Sequence, residues 1–137
     1  MERTLIIVAN PTVDGAVSAV LGARAVSGKC RMGFRTAEGL VNTFRSLQRE
    51  GLPASGELHI YDLEVIHRNW DGESLRPQLM ECLRGFARPV RWFSAEEWDP
   101  EDRAAVGHLV GEHDLVISEN ASCTAELVMD DLLPGAG

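Results

Sequence analysis

The chain has 137 residues, with 13 Lys and Arg against 21 Asp and Glu, a formal net charge of -8, 45% hydrophobic and 25% charged residues. That length supports one domain with a real core, and the balance is ordinary for a globular protein. An acidic chain of this size has no general electrostatic pull on nucleic acid or anionic lipid, which argues against a nucleic-acid partner. No apolar run approaches the ~20 residues that span a bilayer, so no membrane is expected. Cys30, Cys82 and Cys123 are odd in number and far apart, which indicates neither a disulfide framework nor a zinc knuckle. A reducing cytoplasm fits this cysteine usage, and the start of the chain lacks the design of a signal peptide.

Thr4 to Ala9 is a continuous apolar run, the pattern of a parallel strand buried on both faces. Asn10-Pro11 is a turn signal that ends it. A helix is expected from about Asp14 to Val26, with Ala16, Ala19, Val20 and Ala23 spaced to pack on a sheet. Asp14 sits as an acid at the helix start, and Gly15 permits close approach of a backbone or a ligand. Ser27-Gly28 ends the helix. From Cys30 to Arg35 apolar and basic residues alternate, which predicts a strand near an edge. Lys29, Arg31, Arg35, Arg45 and Arg49 fall close together in sequence and read most simply as a solvated basic face.

Thr36 can cap a helix running to about Glu50, with Leu40, Val41, Phe44 and Leu47 as its apolar stripe. A third strand, Leu58 to Leu63, carries Asp62 near its end. His67 to Gly72 reads as a polar, irregular stretch, followed by a helix from Glu73 to Gly85. Val90 to Phe93 is a fourth strand. Asp99-Pro100-Glu101-Asp102 is a helix start, with an N-cap acid, Pro at the first position and acids in the first turn; that helix runs to about Leu109. Leu115 to Ser118 is a fifth strand, Cys123 opens a last helix ending near Leu133, and Pro134 to Gly137 is a tail. Strands alternate with helices throughout. The expected fold is therefore α/β: an open, mostly parallel five-stranded sheet with helices on both faces, as a single domain over 1–137.

In such a sheet binding groups gather at the carboxyl ends of strands. The stretch from Leu5 to Ser18 resembles motif I of the DHH phosphoesterase superfamily, whose members are often manganese-dependent. The family pattern is His-x-Asp-x-Asp-Gly-x-x-Ser. Asp14, Gly15 and Ser18 match it, while Asn10 replaces the His and Thr12 the first Asp. Asp62 matches the family's second motif, an Asp at the end of an inner strand. The naming triplet is replaced by Ser94-Ala95-Glu96, and Cys123-Thr124-Ala125-Glu126-Leu127-Val128 is similar to a helix start late in the family domain. The chain ends before the family's fourth-motif acid and its separate C-terminal substrate-binding domain.

The resemblance implies a degenerate site. Two-metal phosphoesterases hold ions about 3.5–4 Å apart on carboxylates and imidazoles. Here the candidate metal ligands are Asp14, Asp62 and Glu96, enough for none or one weakly bound divalent ion, Mn or Mg, and not for a preformed pair. Asn10, Thr12, Gly15 and Ser18 are the candidate ligand-binding positions. His67 is the best-placed spare imidazole; His59 reads as a satisfied strand histidine, and His108 and His113 lie away from the site. No Gly-x-Gly-x-x-Gly, Walker loop, nucleophile elbow or His-Glu-x-x-His occurs.

The function this implies is a phosphoesterase-like module, catalytically impaired or inactive, binding a phosphorylated small molecule or a protein partner. The runner-up is a phosphodiesterase or phosphatase with a remodelled single-metal site. A receiver-like or flavodoxin-like domain is a third reading. A receiver would need a basic residue after the last strand, where Ser118-Glu119-Asn120 supplies none.

Overall fold

The structure is a computed structural model that describes residues 4–26, 28–51, 56–65, 75–86, 89–111 and 114–133. Five strands are described: β1 (Thr4–Ala9), β2 (Lys29–Phe34), β3 (Gly56–Tyr61), β4 (Val90–Ser94) and β5 (Leu115–Ile117). All pair in parallel, in the order β2-β1-β3-β4-β5, so the sheet is open. The helices are α1 (Val13–Ala25), α2 (Leu40–Glu50, preceded by a single 3-10 turn at Ala37–Gly39), α3 (Arg76–Arg84), α4 (Pro100–Val110) and α5 (Thr124–Leu132). The expected fold class is observed, and element ends differ from expectation by a few residues at most. The stretch from His67 to Gly72, the expected helix start at Glu73, His113 and the tail from Pro134 lie outside the described residues.

The sheet works because β1 and β3 are apolar on both faces. Leu5, Ile7 and Ala9 point to one side with Tyr61 and Phe93, against Ala19 of α1 and Val128 of α5. Ile6 and Val8 point to the other, into a larger core with Phe44 of α2, Leu79 of α3, Val106 of α4, and Ile60 and Trp92. Each such side chain contributes about 1.5–3 kcal/mol relative to exposure. Trp92 is fully buried, and its indole N–H donates to the Leu63 carbonyl at 2.8 Å.

The smaller core holds a polar chain. On β3, Glu57, His59 and Tyr61 share one face. His59 Nε2 meets Glu57 Oε1 at 2.9 Å and Nδ1 meets the Tyr61 hydroxyl at 2.6 Å. With Nε2–H donating to the carboxylate, Nδ1 is free to accept from the tyrosine O–H. That satisfies a histidine with no solvent exposure, as expected for a strand histidine. Tyr61 fits only because α1 has Gly22 above it, where a Cβ would overlap the phenol. Burial pushes the Tyr61 hydroxyl well above its ordinary range, so it stays a neutral donor.

Candidate functional site at the carboxyl ends of β1 and β3

The chain leaves β1, runs outward to β2, and returns through α2 to β3 on the other side of β1. In open α/β sheets this reversal opens a crevice at the strand ends, where ligands bind. Two of the three candidate metal ligands sit there: Asp14 one turn past β1 and Asp62 directly after β3.

Local structure explains how they meet. Thr12, not Asp14, caps α1: its backbone is extended and its Oγ1 accepts the Gly15 N–H at 3.0 Å. A Cβ at Gly15 would overlap the Asn10 carbonyl, so the glycine lets the turn fold back on itself. Asp14 is thereby free of its own helix and reaches across to α5. Its Oδ2 accepts the Thr124 N–H and its Oδ1 the Ala125 N–H, each at 2.9 Å. A carboxylate on one helix therefore caps the N-terminus of another, where the macrodipole favours negative charge.

Asp62 is 8% exposed and has a positive φ of 60°. Aspartate tolerates that left-handed conformation better than most residues. Its Oδ2 accepts the Thr12 hydroxyl at 2.7 Å and its Oδ1 the Thr124 hydroxyl at 3.1 Å. Thr124 Oγ1 in turn accepts the Ala95 N–H at 3.2 Å. Burial raises the Asp62 pKa, and the nearby Asp14 charge raises it further; the two threonine hydroxyls act in the opposite direction. The cluster thus stitches the ends of β1, β3 and β4 to α5.

Glu96 is exposed and turns elsewhere. Its N–H donates to Ser94 Oγ, and it borders a depression with Trp98, Arg103 and Glu119. Among the described residues, no three His, Cys, Asp or Glu side chains come together as a metal-holding group. Ser18 is fully buried and donates to the Asp14 carbonyl at 2.7 Å, a bond within α1. It therefore faces the interior. Asn10 and Asp14 are half-buried, Thr12 is exposed, Gly15 is buried, and His67 lies outside the described residues. His108 lies on α4, as expected away from this edge. The residue that sequence reasoning did not single out for the site is Thr124. Its signal was present in the family-like helix start, but only tertiary structure brings its hydroxyl to Asp62.

A two-metal centre needs several open carboxylate and imidazole ligands. The residues present do not fit one: Asp14 spends both oxygens on backbone donors, Asp62 both on hydroxyls, and Glu96 stands apart.

No family model matches the sequence, and no curated protein matches it. An uncharacterised protein from Helicobacter pylori G27 has a similar structure, with a TM-score of 0.54 at 14% sequence identity. The match covers 97% of this chain and 37% of that one, so the chain spans little more than a third of its neighbour's length. At that identity the likeness carries the fold alone. No helix among the described residues is long and apolar enough to cross a membrane.

Proposed function

We propose that the chain is a DHH-like α/β domain whose catalytic centre has been converted into structure, and that it acts as a binding module. One observation carries this reading. Asp14, the best-matched residue of the family motif, uses both carboxylate oxygens to cap α5. A phosphorylated ligand would normally seek such a helix N-terminus. That end of α5 is already occupied by the protein's own anion, which favours a protein partner over a bare phosphate.

A second reading keeps one weakly held divalent ion, Mn or Mg, on Asp14 and Asp62, with phosphodiester hydrolysis as the activity. What favours it is the nearness of two carboxylates: burial raises the Asp62 pKa, the Asp14 charge adds to it, and a cation would relieve that repulsion. Manganese titration by calorimetry on metal-stripped protein separates the two, with Asp14→Ala and Asp62→Ala alongside and hydrolysis of bis(p-nitrophenyl) phosphate as the activity assay. The module reading expects no heat at millimolar manganese and no turnover. Micromolar binding lost in both variants would overturn it in favour of the single-metal site.

A further inference from the structure

Every large apolar side chain that is exposed among the described residues lies on α1 or β2. These are Val13, Val17 and Val20 on the helix and Met32 and Phe34 on the strand. Among the described residues β2 ends the sheet and is hydrogen-bonded to β1 alone. The Arg35 N–H donates to the Ala9 carbonyl at 2.9 Å, so odd-numbered positions turn their backbone groups inward. By the alternation of a parallel ladder, Cys30, Met32 and Phe34 turn theirs to the open edge, where the Phe34 carbonyl accepts from the Arg35 guanidinium at 2.8 Å.

The charge of this region opposes that of the molecule. Between Asp14 and Glu38 there is no acidic residue, while Arg24, Lys29, Arg31 and Arg35 are cationic, in a chain of net charge -8. Arg31 and Arg35 also border a groove of about 380 Å³ between β2 and α2, with Gly33, Asn42, Thr43 and Ser46. The Arg35 guanidinium lies over Gly33, which leaves room for it. Arg31 does pair with Glu50 at 3.1 Å, but both side chains are more than half exposed, so this pair is weak and exchangeable. Charged residues on an edge strand can serve merely to block aggregation. Blocking charges do not account for the exposed Met32 and Phe34 beside them.

We propose that β2 is a docking edge for an extended, acidic segment of a partner polypeptide, which adds a sixth strand to the sheet. Its backbone pairs with Cys30 and Met32 along the open edge. Its acidic side chains lie over Arg31 and Arg35, and its apolar ones cover Met32 and Phe34, as the two-sided pattern of β-augmentation requires. A second copy of this chain is disfavoured, because symmetric pairing sets one basic strand against another. Nucleic acid matches the charge but has no peptide groups for the strand edge, and the net negative charge of the chain repels it. This surface is separate from the Asp14–Asp62 cluster, so its test and the manganese titration fail independently.

The test uses the full chain, isotope-labelled, with the synthetic peptide acetyl-Glu-Ile-Glu-Val-Glu-Ile-Glu-amide as probe. Saturable amide shifts concentrated on β2 are expected below millimolar peptide. Arg31→Glu with Arg35→Glu should weaken binding at least tenfold. Met32→Ser should weaken it also, with circular dichroism confirming that each variant is folded. The same peptide with Lys in place of Glu should not bind. Four results would overturn the proposal: no shifts at millimolar peptide, equal binding of the Lys peptide, shifts centred away from β2, or tighter binding of a single-stranded oligonucleotide. Concentration-dependent dimerisation abolished by Met32→Ser would also overturn it, in favour of self-association.

Discussion

Replacing Asp14 with Ala tests whether this carboxylate has become a structural cap. The substitution leaves the Thr124 and Ala125 N–H groups, each now bonded at 2.9 Å, without their acceptor. Losing a capping side chain costs about 0.5–2 kcal/mol. Loss of the favourable charge at the helix end adds about 0.3–1 kcal/mol. One term opposes these: without Asp14, the charge that raises the Asp62 pKa is gone and Asp62 ionises more easily. Asp14 is only half-buried, so water can reach part of the uncovered helix end. The net expectation is a loss of about 2 kcal/mol, a large share of the ~5–15 kcal/mol that holds a domain together. For a chain of this size that lowers Tm by roughly 8 °C. Urea unfolding followed by tryptophan fluorescence measures the loss, and native-state hydrogen exchange locates it. Asp14→Asn keeps one acceptor and should lose about half as much. If Asp14→Ala unfolds within 0.5 kcal/mol of the parent (about the scatter of ordinary surface changes) and the two amides keep their protection, the capping argument is wrong.

Asp62→Asn should make stability less dependent on pH. The raised Asp62 pKa means that the folded state keeps this proton above the range, near 3.8, where an ordinary aspartate releases it. That stabilising contribution is complete below the unfolded pKa and is lost as pH rises through the folded value. The variant should therefore gain on the parent between acid and neutral pH, as read by Tm across that range; a gain that shrinks with rising pH would refute it. Gly22→Ala would drive a methyl into the Tyr61 phenol and should cost about 1–3 kcal/mol in urea unfolding. Gly22→Ala should cost less in a Tyr61→Phe background than in the parent, because the overlapping hydroxyl is absent there. Trp92→Phe abandons the buried bond to the Leu63 carbonyl and leaves space in the larger core; about 2 kcal/mol of destabilisation is expected by the same assay.

Much of the architecture was legible in the order of the residues. Unbroken apolar runs in β1 and β3 meant strands buried on both faces, and their alternation with amphipathic segments such as α2 meant parallel crossovers. Gly, Pro and Asp at element ends marked the turns, because their backbone preferences act locally. The Asp99-Pro100 start of α4 is observed as read, with Asp99 Oδ1 accepting the Glu101 N–H at 2.8 Å. Asp14 and Asp62 were also correctly placed at strand ends, since strand and loop lengths alone determine that.

What those carboxylates do was not legible. Asp14 and Thr124 lie 110 positions apart, and no local pattern states that one caps the other. The helix cap at Thr12 hid behind the more conspicuous acid two residues later. Glu96, adjacent to the site in a motif comparison, is exposed, and its N–H donates to Ser94 Oγ. The sequence by itself determined where each strand stops, through backbone preferences that act over a few residues. Only the tertiary structure decided which side chains share a hydrogen bond, because that depends on how α1 and α5 pack side by side across the strand ends.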